Sequence, residues 1–204
     1  MSHCWNTGFR GASVCGETTL VISNSVVQHF EWQRFGLKIH THEHCLPRGM
    51  EQCIVSIKVS LTGQYEFPEN SHLVSAVFWF QCKPPCKFMK PITIEIQHCA
   101  TSENFADLSF VKASCTPKQL PYMFNQLHEG SFSRHTSYGV LELNSFSGLA
   151  VTQKGSMDRE YSARLFYSTH QPENPTTIDF VVTWNTKAHI NVSAFISSHE
   201  HINL

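Results

Sequence analysis

Three histidines stand at alternating positions, His40, His42 and His44, and a cysteine, Cys45, follows them directly. Alternate residues of a β-strand share one face, and three imidazoles beside a thiolate are ligand types that suit zinc. The spacing works against closure, because same-face neighbours lie about 7 Å apart at a rise of about 3.3 Å per residue. The competing reading ends the strand near Thr41 and leaves a polar turn before Pro47. A second group, Cys82-Lys83-Pro84-Pro85-Cys86, has the spacing of a metal knuckle or a local disulfide. Zinc sites of that kind need a second pair. Downstream, Cys99 and Cys115 stand alone, so the expectation is a β-turn about Pro84-Pro85 with no metal. No phosphate-binding Gly-rich loop, Gly-x-Ser-x-Gly elbow or His-Glu-x-x-His segment occurs. The 16 acidic residues are not paired on apolar strands. The sequence thus argues against an enzyme acting on a separate substrate, and no cofactor is expected.

The elements that would position these residues read as strands. They fall near Thr18–Ile22, Val26–Glu31, Gly36–Thr41, Ile54–Leu61, Leu73–Phe80, Ile92–Gln97, Leu108–Lys112, Gly139–Leu143 and Phe146–Val151, with three more near Ala163–Tyr167, Ile178–Trp184 and Ile190–Ile196. Val55, Ile57, Val59 and Leu61 share one face, and Ser56, Lys58 and Ser60 the other. Ile92, Ile94 and Ile96 alternate with Thr93, Glu95 and Gln97 in the same way. One dry and one wet face per strand predicts an all-β, antiparallel β-sandwich. The run from Leu73 to Phe80 is apolar on both faces at its end, which predicts a central or covered strand. Helical signals are weak; Thr116 to Pro121 fits at most one short turn, bracketed by Pro117 and Pro121.

The chain has 204 residues, 41% apolar with 15 phenylalanines, enough for a packed core without staples. Its formal net charge is −1 and no basic stripe stands out, so no nucleic-acid partner is expected. The longest apolar stretch, around Val74 to Phe80, is far short of the roughly 20 residues of a membrane span. The first residues lack the charged start and apolar core of a signal peptide. With that, the eight cysteines, scattered at 4, 15, 45, 53, 82, 86, 99 and 115, predict reduced thiols and a cytoplasmic location.

Several of these strands carry a family pattern. Phe35-Gly36-Leu37-Lys38-Ile39-His40, the Pro47-Arg48-Gly49 turn, the strand from Cys53 to Leu61, Leu73-Val74-Ser75 and Lys90-Pro91-Ile92-Thr93-Ile94-Glu95-Ile96-Gln97-His98-Cys99-Ala100 occur in order. This text resembles the ZU-5 domain of zonula-occludens proteins, netrin receptors, ankyrins and death-domain adaptors. It departs where the first turn lacks a Gly-Ala pair and where Gln97 stands in place of a frequent Pro. Farther on, Ala163-Arg164-Leu165-Phe166-Tyr167 and Thr177 to Trp184 look like the start of the UPA domain that follows ZU-5 in several relatives. The resemblance implies a ZU-5-like sandwich over 14–153 and a partial UPA-like module over 160–204. The boundary lies in the polar stretch from Gln153 to Asp158. It also implies non-enzymatic scaffold or adaptor work in intracellular signalling, with other proteins as partners. A partial second module would leave a strand edge open and favour self-association through 178–197.

Asn144-Ser145-Phe146-Ser147 resembles the Phe-Ser bond at which some ZU-5–UPA proteins cut themselves. There the serine hydroxyl attacks the preceding carbonyl, and water opens the resulting ester. Such chemistry requires a base and an oxyanion donor or strain. His128 with Glu129 is the expected base pair for Ser147, with His98 and His135 as further histidines. Ser131-Phe132-Ser133 repeats the motif in what reads as a loop. The alternative keeps Phe146 as a core aromatic and Ser147 as its neighbour.

Overall fold

The computed structural model describes residues 11–100, 105–115 and 120–155, and the backbone of 161–167 and 178–184. In chain order the strands are β1 (Ala12–Ser23), β2 (Gln28–Trp32), β3 (Leu37–Thr41), β4 (Gln52–Gly63), β5 (Tyr65–Glu66), β6 (Ser71–Leu73), β7 (Val77–Lys83) and β8 (Ile92–Gln97). They continue as β9 (Leu108–Ala113), β10 (Tyr122–Met123), β11 (Asn125–Gln126), β12 (Ser131–Phe132), β13 (Tyr138–Leu143), β14 (Gly148–Lys154), β15 (Tyr161–Tyr167) and β16 (Ile178–Trp184). Short 3₁₀ turns occupy Gln33–Phe35 and Phe105–Asp107. The strand predicted near Ile190–Ile196 and most of the turn near Thr116 lie outside the described residues.

Two antiparallel sheets face each other. One runs β1-β4-β7-β14-β9-β11, with β6 also on β14; the other runs β12-β13-β8-β3-β2. Alternation explains the packing. Ile92, Ile94 and Ile96 point inward with Leu37 and Ile39 of the next strand, and they meet Val55, Ile57, Val59, Phe78, Phe80, Phe110, Leu149 and Val151 of the opposite sheet in one buried cluster. The fold is therefore an all-β sandwich. A separate antiparallel pair, β15 and β16, aligns Tyr161 with Trp184 and Tyr167 with Ile178.

Three local expectations change. The outer face of β4 is not wet: Ser60 is fully buried and Ser56 and Lys58 nearly so. A second aromatic cluster covers this side, with Trp79, Tyr122 and Phe124 buried and Tyr65 and Phe67 packed against them. Trp79 Nε1–H donates to Ser60 Oγ at 2.9 Å, and the Ser60 hydroxyl lies 2.6 Å from Tyr65 Oη. The run from Leu73 to Phe80 is not one strand but β6 and β7, broken at Val74–Ala76. As predicted, β7 is covered on both faces, Phe78 and Phe80 in the main core and Val77 and Trp79 in the second. Third, Ser131-Phe132 is not loop but the short edge strand β12, whose Phe132 stacks on Phe110 at 5.0 Å between ring centroids.

Candidate functional site

β14 begins at Gly148, so Phe146 and Ser147 are the two residues that lead into it. The Phe80 N–H donates to the Ser147 carbonyl at 3.2 Å, which ties the entry to β7. Phe146 stacks on Phe80 (5.0 Å, 15° between planes) and meets Phe88 edge-on at 5.0 Å. Gly148 is required next: a Cβ there would stand 2.5 Å from the Trp79 ring. Ser147 is buried, and its hydroxyl donates to the Gly148 carbonyl at 3.3 Å.

The histidines expected to serve Ser147 stand elsewhere. β11 aligns Asn125 with Lys112 and Gln126 with Val111, and the Leu127 N–H donates to the Phe110 carbonyl. His128 and Glu129 therefore continue toward Ser109, both exposed. β14 sets Gly148 opposite Ala113 and Thr152 opposite Ser109. The pair consequently lies about five residue steps, roughly 16 Å, along the sheet from Ser147. His98 is buried beside Ser75, whose hydroxyl accepts from the Val151 N–H, about four steps from Ser147. His135 is exposed in the turn between β12 and β13.

A cleft of about 580 Å³ opens beside Phe146 and Ser147. Its walls include Phe80, Lys112, Asn125 and Leu127, and along one side Cys82, Pro85 and Cys86. Among the described residues, no histidine or carboxylate lines it. Cys115, also on the wall, donates to the Phe80 carbonyl at 3.2 Å, and burial pushes its thiol up to about 11.

The histidine-rich turn does not converge. β3 ends at Thr41, so the strand parity that would align His42 and His44 with His40 is lost. The chain reverses at His44, with φ at 57°, and both His42 and His44 are exposed. His40 instead faces its cross-strand partner His29, Nδ1 to Nδ1 at 2.5 Å, and its Nε2 lies 3.0 Å from Glu95 Oε1. The metal reading of His40, His42, His44 and Cys45 is therefore corrected: this set is not gathered.

Thiols gather at a different place, which the β-turn expectation at Cys82–Cys86 missed. Cys53 shares the inward face of β4 with Val55, and the register sets Val55 opposite Cys82. Cys53 and Cys82 are thus diagonal neighbours on one face. The Pro84-Pro85 turn brings Cys86 back to them, so that the three sulfurs lie within 4.8 Å of one another. Cys53 is held below the usual thiol range by hydrogen bonds from Cys82, and then Cys86. Cys82 is raised by the same hydrogen bond and by burial. Cys45 is fully buried, and burial above all pushes its thiol up, with the charge of Cys53 adding to the rise. None of the seven described cysteines is in a disulfide, and Cys4 lies outside the described residues. The signal available in the sequence was parity: Cys53 repeats with Val55 and Ile57, and Cys82 with Phe78 and Phe80.

No described helix is long and apolar enough to cross a membrane. Compared with known proteins, the chain matches no family model and none of the curated proteins.

Proposed function

We propose that this chain is a non-enzymatic protein-interaction module of the ZU-5 type, residues 14–153, followed by a partial UPA-like module over 160–204. It would work as a cytoplasmic scaffold or adaptor in signalling. One observation carries the interaction reading. β1 is 12 residues long and, among the described residues, pairs on one side only, with β4. An open strand edge offers unpaired N–H and C=O groups to an extended partner segment. Register shifts at Ser13 to Gly16 bend its first part, while Glu17 to Ser23 pair regularly. Beside that regular part, Val21 and its partner Ile54 expose 45% and 47% of their surface, and Val26 and Val27 are exposed in the turn that follows. The cleft fits the non-enzymatic part of the reading, since its described lining holds no histidine or carboxylate.

The test is affinity capture from native lysate with the full chain and with Val21→Lys/Ile54→Lys, which charges the exposed strip without touching the core. Proteins held by the wild type should be lost from the variant. Equal capture by both, or none by either, would overturn docking at this edge.

Self-cleavage at Phe146–Ser147 is supported by the motif and by the position of the bond beside a cleft. Among the described residues, no histidine or carboxylate stands beside it as a base. The chain is therefore expected to keep its full mass after long incubation at neutral pH. Appearance of 1–146 and 147–204, abolished by Ser147→Ala, would reinstate the self-cleavage reading.

A further inference from the structure

We propose that Cys53, Cys82 and Cys86 form the thiolate core of a structural zinc site at one end of the sandwich, with Cys45, outside that group but in the same buried cluster, as the fourth ligand to be tested. Zinc bound by sulfur at about 2.3 Å in a tetrahedron needs sulfurs about 3.8 Å apart. The three thiols already lie within 4.8 Å of one another, so closure onto an ion asks for shifts of about 1 Å or less. A disulfide would have to bring two of them to about 2.05 Å and would leave the others unused. Soft thiolate sets select zinc over the hard divalent cations.

The surroundings fit a closed site. Cys45, Cys53 and Cys82 belong to the main buried cluster, and Cys86 packs against it. The four come from four segments: the loop after β3, strand β4, strand β7, and the connection that carries the chain to β8 in the opposite sheet. That connection is already pinned, its Phe88 N–H donating to the Asn144 carbonyl and its Met89 N–H to the Cys45 carbonyl, each at 2.7 Å. The loop holding Cys45 is pinned too, by the Leu46 N–H to Asn24 Oδ1 at 2.9 Å. A metal would tie both sheets together where no strand pairing does. On binding, each thiol still protonated releases its proton to solvent and no electron moves.

The experiment uses the full chain, purified under reductant, loaded with zinc and desalted. Elemental analysis should find about one zinc per chain. Cobalt(II) titration should give thiolate charge-transfer absorption that saturates at about one equivalent. Its intensity should fall by about a quarter in Cys45→Ser. Cys86→Ser, the least buried ligand change, should weaken zinc binding at least about tenfold, while Cys15→Ser, a thiol outside the group, should leave it unchanged. Zinc should raise the melting temperature of the wild type and not that of Cys86→Ser. The wild-type measurements decide even if a variant fails to fold: zinc at background level with no charge-transfer band overturns the site. So does a parallel preparation, isolated without reductant and with free thiols alkylated at lysis, in which Cys82 and Cys86 are joined as a disulfide. Full cobalt intensity in Cys45→Ser would remove Cys45 from the set.

Discussion

Ser75→Ala should be among the costliest single-atom deletions in this protein. One side of β14 is paired continuously by β9; on the other side it is paired by β6 at Thr152 to Lys154 and by β7 at Gly148 and Leu149, and the break between β6 and β7 leaves the middle of that side without a regular ladder. Two bonds bridge the gap. The Val74 N–H donates to the Val151 carbonyl at 3.0 Å, and the Val151 N–H donates to Ser75 Oγ at 2.8 Å. The same hydroxyl donates to the Ala76 carbonyl at 2.8 Å. Ser75 and Val151 are both fully buried. Removing the oxygen orphans a buried amide, at a cost of about 1–3 kcal/mol. For a chain of 204 residues, at about 2–4 °C per kcal/mol, that lowers the melting temperature by about 2–12 °C. With a urea slope of about 2 kcal/mol/M, the midpoint should fall by about 0.5–1.5 M at unchanged slope. Ser147→Ala is the internal comparison. Its hydroxyl only donates, at 3.3 Å, to the neighbouring carbonyl and orphans no amide, so its cost should stay below about 1 kcal/mol. Equal costs for the two serines, or a loss below about 0.3 kcal/mol for Ser75→Ala, would refute the argument that Ser75 substitutes for a missing ladder partner.

Two further perturbations probe the packing. Gly148→Ala would set a Cβ 2.5 Å from the buried Trp79 ring; overpacking of this kind costs about 1–3 kcal/mol, and an unchanged melting temperature would show that the ring can yield. Stability should also fall at alkaline pH. Burial pushes Cys15 and Cys115 from 9.0 up to about 11, and Tyr122 from 10.0 up to about 12. Above pH 9 the unfolded chain therefore loses protons that the folded chain keeps, so stability is intact below that point and declines as pH rises from 9 to 12. Melting temperatures across this range should slope downward, less steeply in Cys115→Ala; a flat profile would refute the burial argument.

The part of this fold that was legible in the sequence is the part governed by a period of two. Ile92, Ile94 and Ile96 announce a half-buried strand, and β8 runs Ile92–Gln97 with that face in the core. Parity fails where a strand stops, because it is a property of extended backbone. His42 and His44 keep the alternation of His40 on paper, but β3 ends at Thr41 and the positive φ at His44 turns the chain away. Local reading also cannot see what covers a face. Ser56, Lys58 and Ser60 look wet; Ser60 is buried because Tyr65 and Trp79, from two other strands, reach its hydroxyl.

The thiol group shows the same limit from the other side. Judged by downstream spacing alone, Cys82 and Cys86 lack a second pair. Their companion lies upstream, at Cys53, and what brings it to them is the register that sets Val55 against Cys82. Register is fixed by which faces must be dry. Here Val55, Ile57 and Val59 must meet the same core as Phe78 and Phe80, and a one-residue slip of either strand would turn its own cysteine, Cys53 on β4 or Cys82 on β7, outward with its apolar set. The hydrophobic pattern that specifies the sandwich thus also specifies the encounter of the sulfurs. In this chain the candidate metal chemistry is a consequence of core packing rather than of a contiguous motif.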